Sequence, residues 1–183
     1  RDCRRDSQTE GCAVRIFGLD PGPTVSGWAI LDAGRVVDSG VDDNNDLRVW
    51  VEHGQRAQTL AIEVFEARGM PIGNDSVRTM LWTGRFIEAF PGKVIEVQRR
   101  AVKSFLCGDM KAGDPHIRQA LIDLIGPQGT KKAPGATYGV KSHAWAALGV
   151  ACTVAQHLRP AIEPRRELAA WPQVIQTNQE GTQ

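Results

Sequence analysis

The sequence has no run of about 20 apolar residues, no closely spaced cysteine pair and almost no net charge. The first lack excludes a transmembrane helix. The second excludes a zinc cluster or a disulfide framework, because Cys3, Cys12, Cys107 and Cys152 are too scattered for either. They are expected to be buried or incidental thiols, as suits a reducing compartment. No charged, apolar and small-residue signal segment opens the chain, so a cytoplasmic location is expected. There are no internal repeats. The net charge of +1 conceals a split. Residues 32–75 carry nine acidic against four basic residues, a balance of −5, and residues 93–141 carry nine basic against four acidic, a balance of +5. Such a split suits a protein that holds cations in one place and a polyanion in another, and it equally describes two solvated faces.

What is present is an ordinary globular composition in 183 residues, enough for one domain with its own core. Residues 1–12 are polar and expected to be a flexible segment, 13–158 to form the domain, and 159–183 to be a flexible tail. The run AVRIFGLD ends at Asp20 and a PGPT turn follows. VSGWAILD ends at Asp32, and a two-residue Ala-Gly link leads into RVVDSGV, so three strands are expected in succession. DDNNDLRVWVEHGQRAQ reads as a polar stretch. TLAIEVFEA is a fourth strand with Glu63 inside it, and RGMPIGNDS a loop. Helical spacing from Asn74 or Ser76 to Phe90, the strand KVIEVQ, and helices over AVKSFLCG and DPHIRQALIDLIG follow. GPQGTKKAPGATYG reads as a flexible basic loop, and KSHAWAALGVACTVAQHL as a strong apolar helix. This order predicts an α/β fold with a central mixed five-stranded sheet flanked by helices.

Two acids stand out because a carboxylate in or at the end of a buried strand is costly unless something pairs with it. If the strands bearing Asp20 and Glu63 are neighbours, about 5 Å apart, the two carboxylates can share one cation. Oxygen ligands of this kind select Mg²⁺ or Mn²⁺, ions that activate water in phosphodiester hydrolysis. Alternatively, Asp20 caps a turn and Glu63 pairs with a core arginine; spacing alone does not separate the two.

FGLDPGPTVSGWAILD resembles the first two strands of the RuvC family of Holliday junction resolvases, which have an RNase H-like fold. TLAIEVFEA is similar to the family's A-I-E strand, WTGRFIEAF to the helix after it, VQRRAVKSFLCG to the next strand and its basic turn, and KSHAWAALGVA to the terminal helix. The likeness runs in order from Ile16 to Ala151. It implies a divergent bacterial or phage member of that family, with Asp20 the central ligand of two metal ions, Mg²⁺ or Mn²⁺, and Glu63 the second carboxylate. The family's last ligands are an acid or histidine and, three residues on, an aspartate. His143 matches the first position, as metal ligand or proton carrier. Ala146 stands at the second and supplies no ligand. Either the chain carries an inactivating Asp→Ala change, or it manages with Asp20, Glu63 and His143, or a carboxylate such as Glu66 fills the gap; Trp145, also a departure, favours natural divergence.

The same resemblance makes Lys103 a catalytic candidate and Arg99, Arg100, Lys103, Lys111 and Lys141 contacts to the DNA backbone, with Lys131 and Lys132 as solvated charges or a second arm. Phe65 lies where an aromatic near the junction centre is expected, although an apolar strand residue is more often core. The implied activity is that of a homodimeric crossover-junction endodeoxyribonuclease leaving 5′-phosphates, with four-way or branched DNA as partner and no membrane or small-molecule cofactor. The helix from Ser76 to Phe90, with Met80, Trp82 and Phe86 in reach of one face, is a candidate dimer surface, and an internal core face explains those residues equally well. The alternatives are another RNase H-like nuclease acting on RNA–DNA hybrids, an actin-like ATPase domain, for which no second phosphate loop is visible, or a junction-binding protein inactivated at Ala146.

Overall fold

Apolar residues crowd the first, second and fourth strands without clean alternation, the pattern of strands buried on both faces. In the computed structural model, which describes residues 14–54, 57–67, 69 and 71–158, they form the middle of the sheet. The elements in order are β1 (Ile16–Asp20), β2 (Val25–Asp32), β3 (Arg35–Asp43), α1 (Asn44–Glu52), β4 (Thr59–Val64), α2 (Asn74–Ala89), β5 (Lys93–Gln98), α3 (Arg99–Cys107), α4 (Asp114–Ile125) and α5 (Ala144–Leu158). The sheet order is β3-β2-β1-β4-β5. β1, β2 and β3 make an antiparallel meander, and β4 and β5 add parallel to β1. The expected mixed five-stranded sheet is therefore observed. The ends expected to be flexible, 1–12 and 159–183, lie outside the described residues.

Local chemistry accounts for the turns. Ala33 and Gly34 both have positive φ (48° and 79°), the twist that a two-residue hairpin between right-twisted strands requires. β3 is an edge strand, and its exposed Asp38, Asp42 and Asp43 discourage further strand pairing. Pro115 sits in the first turn of α4, and Gly108 ends α3 in the left-handed region.

Two expectations are corrected. The polar stretch after β3 contains α1, which Asp43 caps by accepting from the backbone N–H of Asn45, and which buries Leu47 and Val51, four residues apart. Leu47, Val49, Trp50 and Val51 are the apolar residues of α1, but Val49 and Trp50 are exposed, so the buried stripe is only one pair among polar neighbours. The basic loop is also not featureless. Thr137 is fully buried, its hydroxyl donates to Gly126 O, and Gln128 donates to Val140 O.

The two sheet faces hold separate cores. Phe17, Leu19, Leu60 and Ile62 point to α1 and α2, where they meet Leu47, Val51, Phe86 and Phe90. Ile16, Ala61, Ile95 and Val97 point the other way, under α3, α4 and α5. Phe86 therefore belongs to the core, and Trp82 packs on it with ring centroids 5.7 Å apart. The outward face of α2 carries Val77, Met80 and Leu81 instead. Cys107 is half-buried and Cys152 buried, and Cys3 and Cys12 lie outside the described residues. Among the described residues no helix is long and apolar enough to cross a membrane.

Candidate active site

Period-two alternation decides where the two strand acids point. On β1, Phe17 and Leu19 face α1 and α2, so Gly18 and Asp20 face α5; on β4, Leu60 and Ile62 do the same, so Ala61 and Glu63 turn toward α5. The parallel register sets Leu19 opposite Ile62, which makes Asp20 and Glu63 neighbours at the carboxyl ends of adjacent strands. Both side chains are mostly buried, at 16% and 18% exposure.

Two glycines let α5 reach this edge. A Cβ on Gly18 would lie 2.3 Å from Ala147 O, and one on Gly27 would lie 2.3 Å from the carbonyl carbon of His143. Gly27 is also the cross-strand partner of Asp20. The absence of two side chains thus seats the start of α5 against the sheet, and His143 Nδ1 comes within 3.2 Å of Asp20 Oδ2. The loop after Asp20 is pinned from below. Ser26, fully buried, accepts from the Gly22 N–H and donates to Asn44 Oδ1 at 2.6 Å, while Asn44 Nδ2 donates to Gly22 O.

Glu63 has a second partner. Arg99, the first residue of α3, donates through Nη1 to Glu63 Oε2 at 3.1 Å and through Nη2 to Asp114 at the start of α4. Asp20, Glu63, Arg99, Asp114, His143 and Ala146 all line one open cleft of about 740 Å³. Burial pushes the Glu63 carboxyl up to about 7, reinforced by the charge of Asp20 and opposed by Arg99. Burial likewise raises Asp20, with His143 and then Arg99 pulling it back. For Arg99 burial works against the charge, but Glu63 and Asp114 outweigh it and hold the guanidinium more firmly protonated. Three carboxylates against one guanidinium give the cleft an excess of acid, so it favours cations.

No family model matches the chain, and no curated protein sequence matches it either. Among solved structures it is similar to Thermus thermophilus RuvC, with a TM-score of 0.55 at 20% identity over 76% of this chain and 92% of that one. It is also similar to Thermus thermophilus RuvC in complex with a Holliday junction substrate, with a TM-score of 0.58 at 22% identity and the same coverage. The fold is RuvC-like. The RNase H-like architecture expected from the sequence is thereby established; at this identity the likeness speaks for the fold alone.

On this RuvC-like frame, the sequence candidates divide. Asp20, Glu63, His143 and Arg99 come together in the cleft, and Ala146 lines it without an oxygen to offer. Lys103 is partly buried on α3, Lys111 is exposed in the loop before α4, and Lys141 is exposed before α5; none of them lines the cleft. Arg100 pairs with Glu66 at 3.2 Å and with Gln98. Glu66 is therefore engaged away from the cleft and does not fill the gap at Ala146. Phe65 lies just beyond β4 and is 42% exposed, not core. Sequence reading missed Asp114, whose place before Pro115 signals only a helix start.

The donor set bears on the expected Mg²⁺ or Mn²⁺. Among the described residues no three His, Cys, Asp or Glu side chains converge closely enough to form a metal cage. Asp20 and Glu63 nonetheless offer adjacent carboxylates whose mutual repulsion a cation would relieve, and Mg²⁺ commonly takes only one or two carboxylates beside water and substrate phosphate. The residues fit one such ion; ligands for a second are not gathered here.

Proposed function

We propose that this chain is a divalent-metal-dependent, structure-specific endodeoxyribonuclease acting on four-way or branched DNA junctions. The observation that carries the reading is the pairing of Asp20 with Glu63 at the ends of parallel neighbours β1 and β4, with His143 on Asp20. Asp20 and Glu63 would hold Mg²⁺ or Mn²⁺. Bound there, the ion supplies activation of water and neutralisation of charge on the leaving oxygen. With Nδ1–H of His143 donating to Asp20, the ring's basic lone pair is on Nε2, which can accept the proton of the attacking water. Arg99 offers a guanidinium to the phosphate at the same cleft. Lys111, Lys131, Lys132 and Lys141, all exposed, would bind the junction arms through backbone phosphates, and the exposed ring of Phe65 would meet opened base pairs. Two copies joined through Val77, Met80 and Leu81 of α2 would set two clefts on opposed strands, each cut leaving a 5′-phosphate.

A second reading is favoured by one observation: Ala146 lines the cleft with a methyl group while Arg99 occupies Glu63. On that reading the chain binds junctions and does not cut them. One experiment separates the two. The protein is incubated with a four-way junction, linear duplex and RNA–DNA hybrid, with Mg²⁺ or Mn²⁺, beside Asp20→Asn and Ala146→Asp. Symmetrical junction nicking abolished by Asp20→Asn supports the nuclease, and nicking only with Ala146→Asp supports the inactive binder. Equal binding to all three nucleic acids overturns both.

A further inference from the structure

Arg99 is the only arginine or lysine lining the cleft among the described residues, and its place in the fold is unusual. It opens α3, where a helix offers exposed N–H groups and the positive end of its dipole, so the helix itself disfavours a cation there. What holds it is acid. One guanidinium nitrogen donates to Glu63 and the other to Asp114, so a single planar cation bridges a buried carboxylate and one that is 84% exposed. Asp114 is the more accessible end of that bridge, and Glu63 is the same group that would hold a divalent ion.

We propose that Arg99 is an internal counterion that competes with the divalent cation for Glu63, with Asp114 as the seat that retains the guanidinium when Glu63 lets go. The proposal rests on the Asp20–Glu63 metal site advanced above. Its physical basis is that Glu63 cannot give the same lone pairs to both cations at full strength, and two positive charges on one buried carboxylate repel. Arg99 therefore lowers the site's affinity for the free ion while keeping Glu63 paired without it. Asp114 acts through Arg99, as a positioning residue and not a ligand.

The measurement is Mn²⁺ affinity in the absence of DNA, followed by the spin-resonance signal of the free ion, on the full chain and on Arg99→Gln, Arg99→Lys, Asp114→Asn, Arg99→Gln/Asp114→Asn and Asp20→Asn. Thermal melts confirm that each is folded. Arg99→Gln is expected to tighten Mn²⁺ binding by about tenfold or more, the equivalent of one charge-assisted hydrogen bond removed from competition. Arg99→Lys keeps the charge and should stay within about threefold of the parent, and Asp114→Asn reads out the same competition if Arg99→Gln does not fold. Asp114→Asn should weaken binding by about threefold alone and by less than about twofold on top of Arg99→Gln, the signature of coupling through one partner. Unchanged or weaker binding in Arg99→Gln, with binding still lost in Asp20→Asn, overturns the counterion and leaves the metal site standing. An equal loss from Asp114→Asn in both backgrounds makes Asp114 a ligand and overturns its assigned role. Mn²⁺ binding that is absent throughout, or indifferent to Asp20→Asn, removes the metal site and the proposal with it.

Discussion

The two ends of the β1–β2 pair handle charge in opposite ways. At one end Arg15 meets Asp32 through Nε and Nη2, a balanced pair about one-third exposed on each side. At the other, Asp20 and Glu63 are more deeply buried, three carboxylates crowd one arginine, and the surplus is negative. A balanced, half-wet pair adds little to stability and demands nothing further. Buried acids in excess raise one another's affinity for protons and call for an outside cation. The same residue types thus make a fastening at one edge and a site at the other, and burial with stoichiometry is what separates them.

The largest effect that would break this contrast is on the reaction. If the chain cuts, Asp20→Asn should lower the junction nicking rate by about a thousandfold, the scale of losing a central charge-stabilising group, whereas Asp32→Asn should leave it within about twofold. Equal losses would erase the distinction between the two ends.

Next comes pH. Glu63 is held at about 7 in the fold against an ordinary 4.5, so the native state keeps a proton that the unfolded chain has released. Its contribution is therefore complete below pH 4.5 and lost as pH rises through about 7, a loss of about 3 kcal/mol for a shift of this size. Urea denaturation in the presence of a chelator should show this fall between pH 4.5 and 7, and Glu63→Gln should flatten it. A slope that survives the substitution would place the titration elsewhere.

Gly27→Ala is expected to cost about 1–3 kcal/mol in urea denaturation, because its methyl group would lie 2.3 Å from the His143 backbone and force α5 off the sheet. Nicking should fall with it as His143 leaves Asp20. The smallest effect is at the balanced end, where Asp32→Asn should cost less than about 1 kcal/mol by the same measurement. A larger cost there would mean that the Arg15 pair is a buried anchor and not a surface fastening.

Much of this was legible along the chain. The five strands, the Ala-Gly hairpin, the helices after β4 and β5, and the acids Asp20 and Glu63 all follow from local pattern, since strand and helix periods are written in neighbouring residues. α1 was not, because only Leu47 and Val51 mark its buried face and its stability comes from the Asp43 cap and docking. Reading Glu63 as either a cation ligand or the partner of a core arginine left the choice open, and the fold shows that Arg99 does take it. Glu66 as a spare carboxylate was reasonable from spacing, but an ion pair depends on which strand ends meet, and spacing along the chain carries no such information.

By itself, then, the sequence determined the strands and their two unusual acids. Only the tertiary structure decided that Asp114 and Arg99 join those acids, because residues from β1, β4, α3 and α4 meet through sheet order and helix docking. Charge balance in a buried cleft is a sum over all of its walls, and that sum exists only once the walls are assembled.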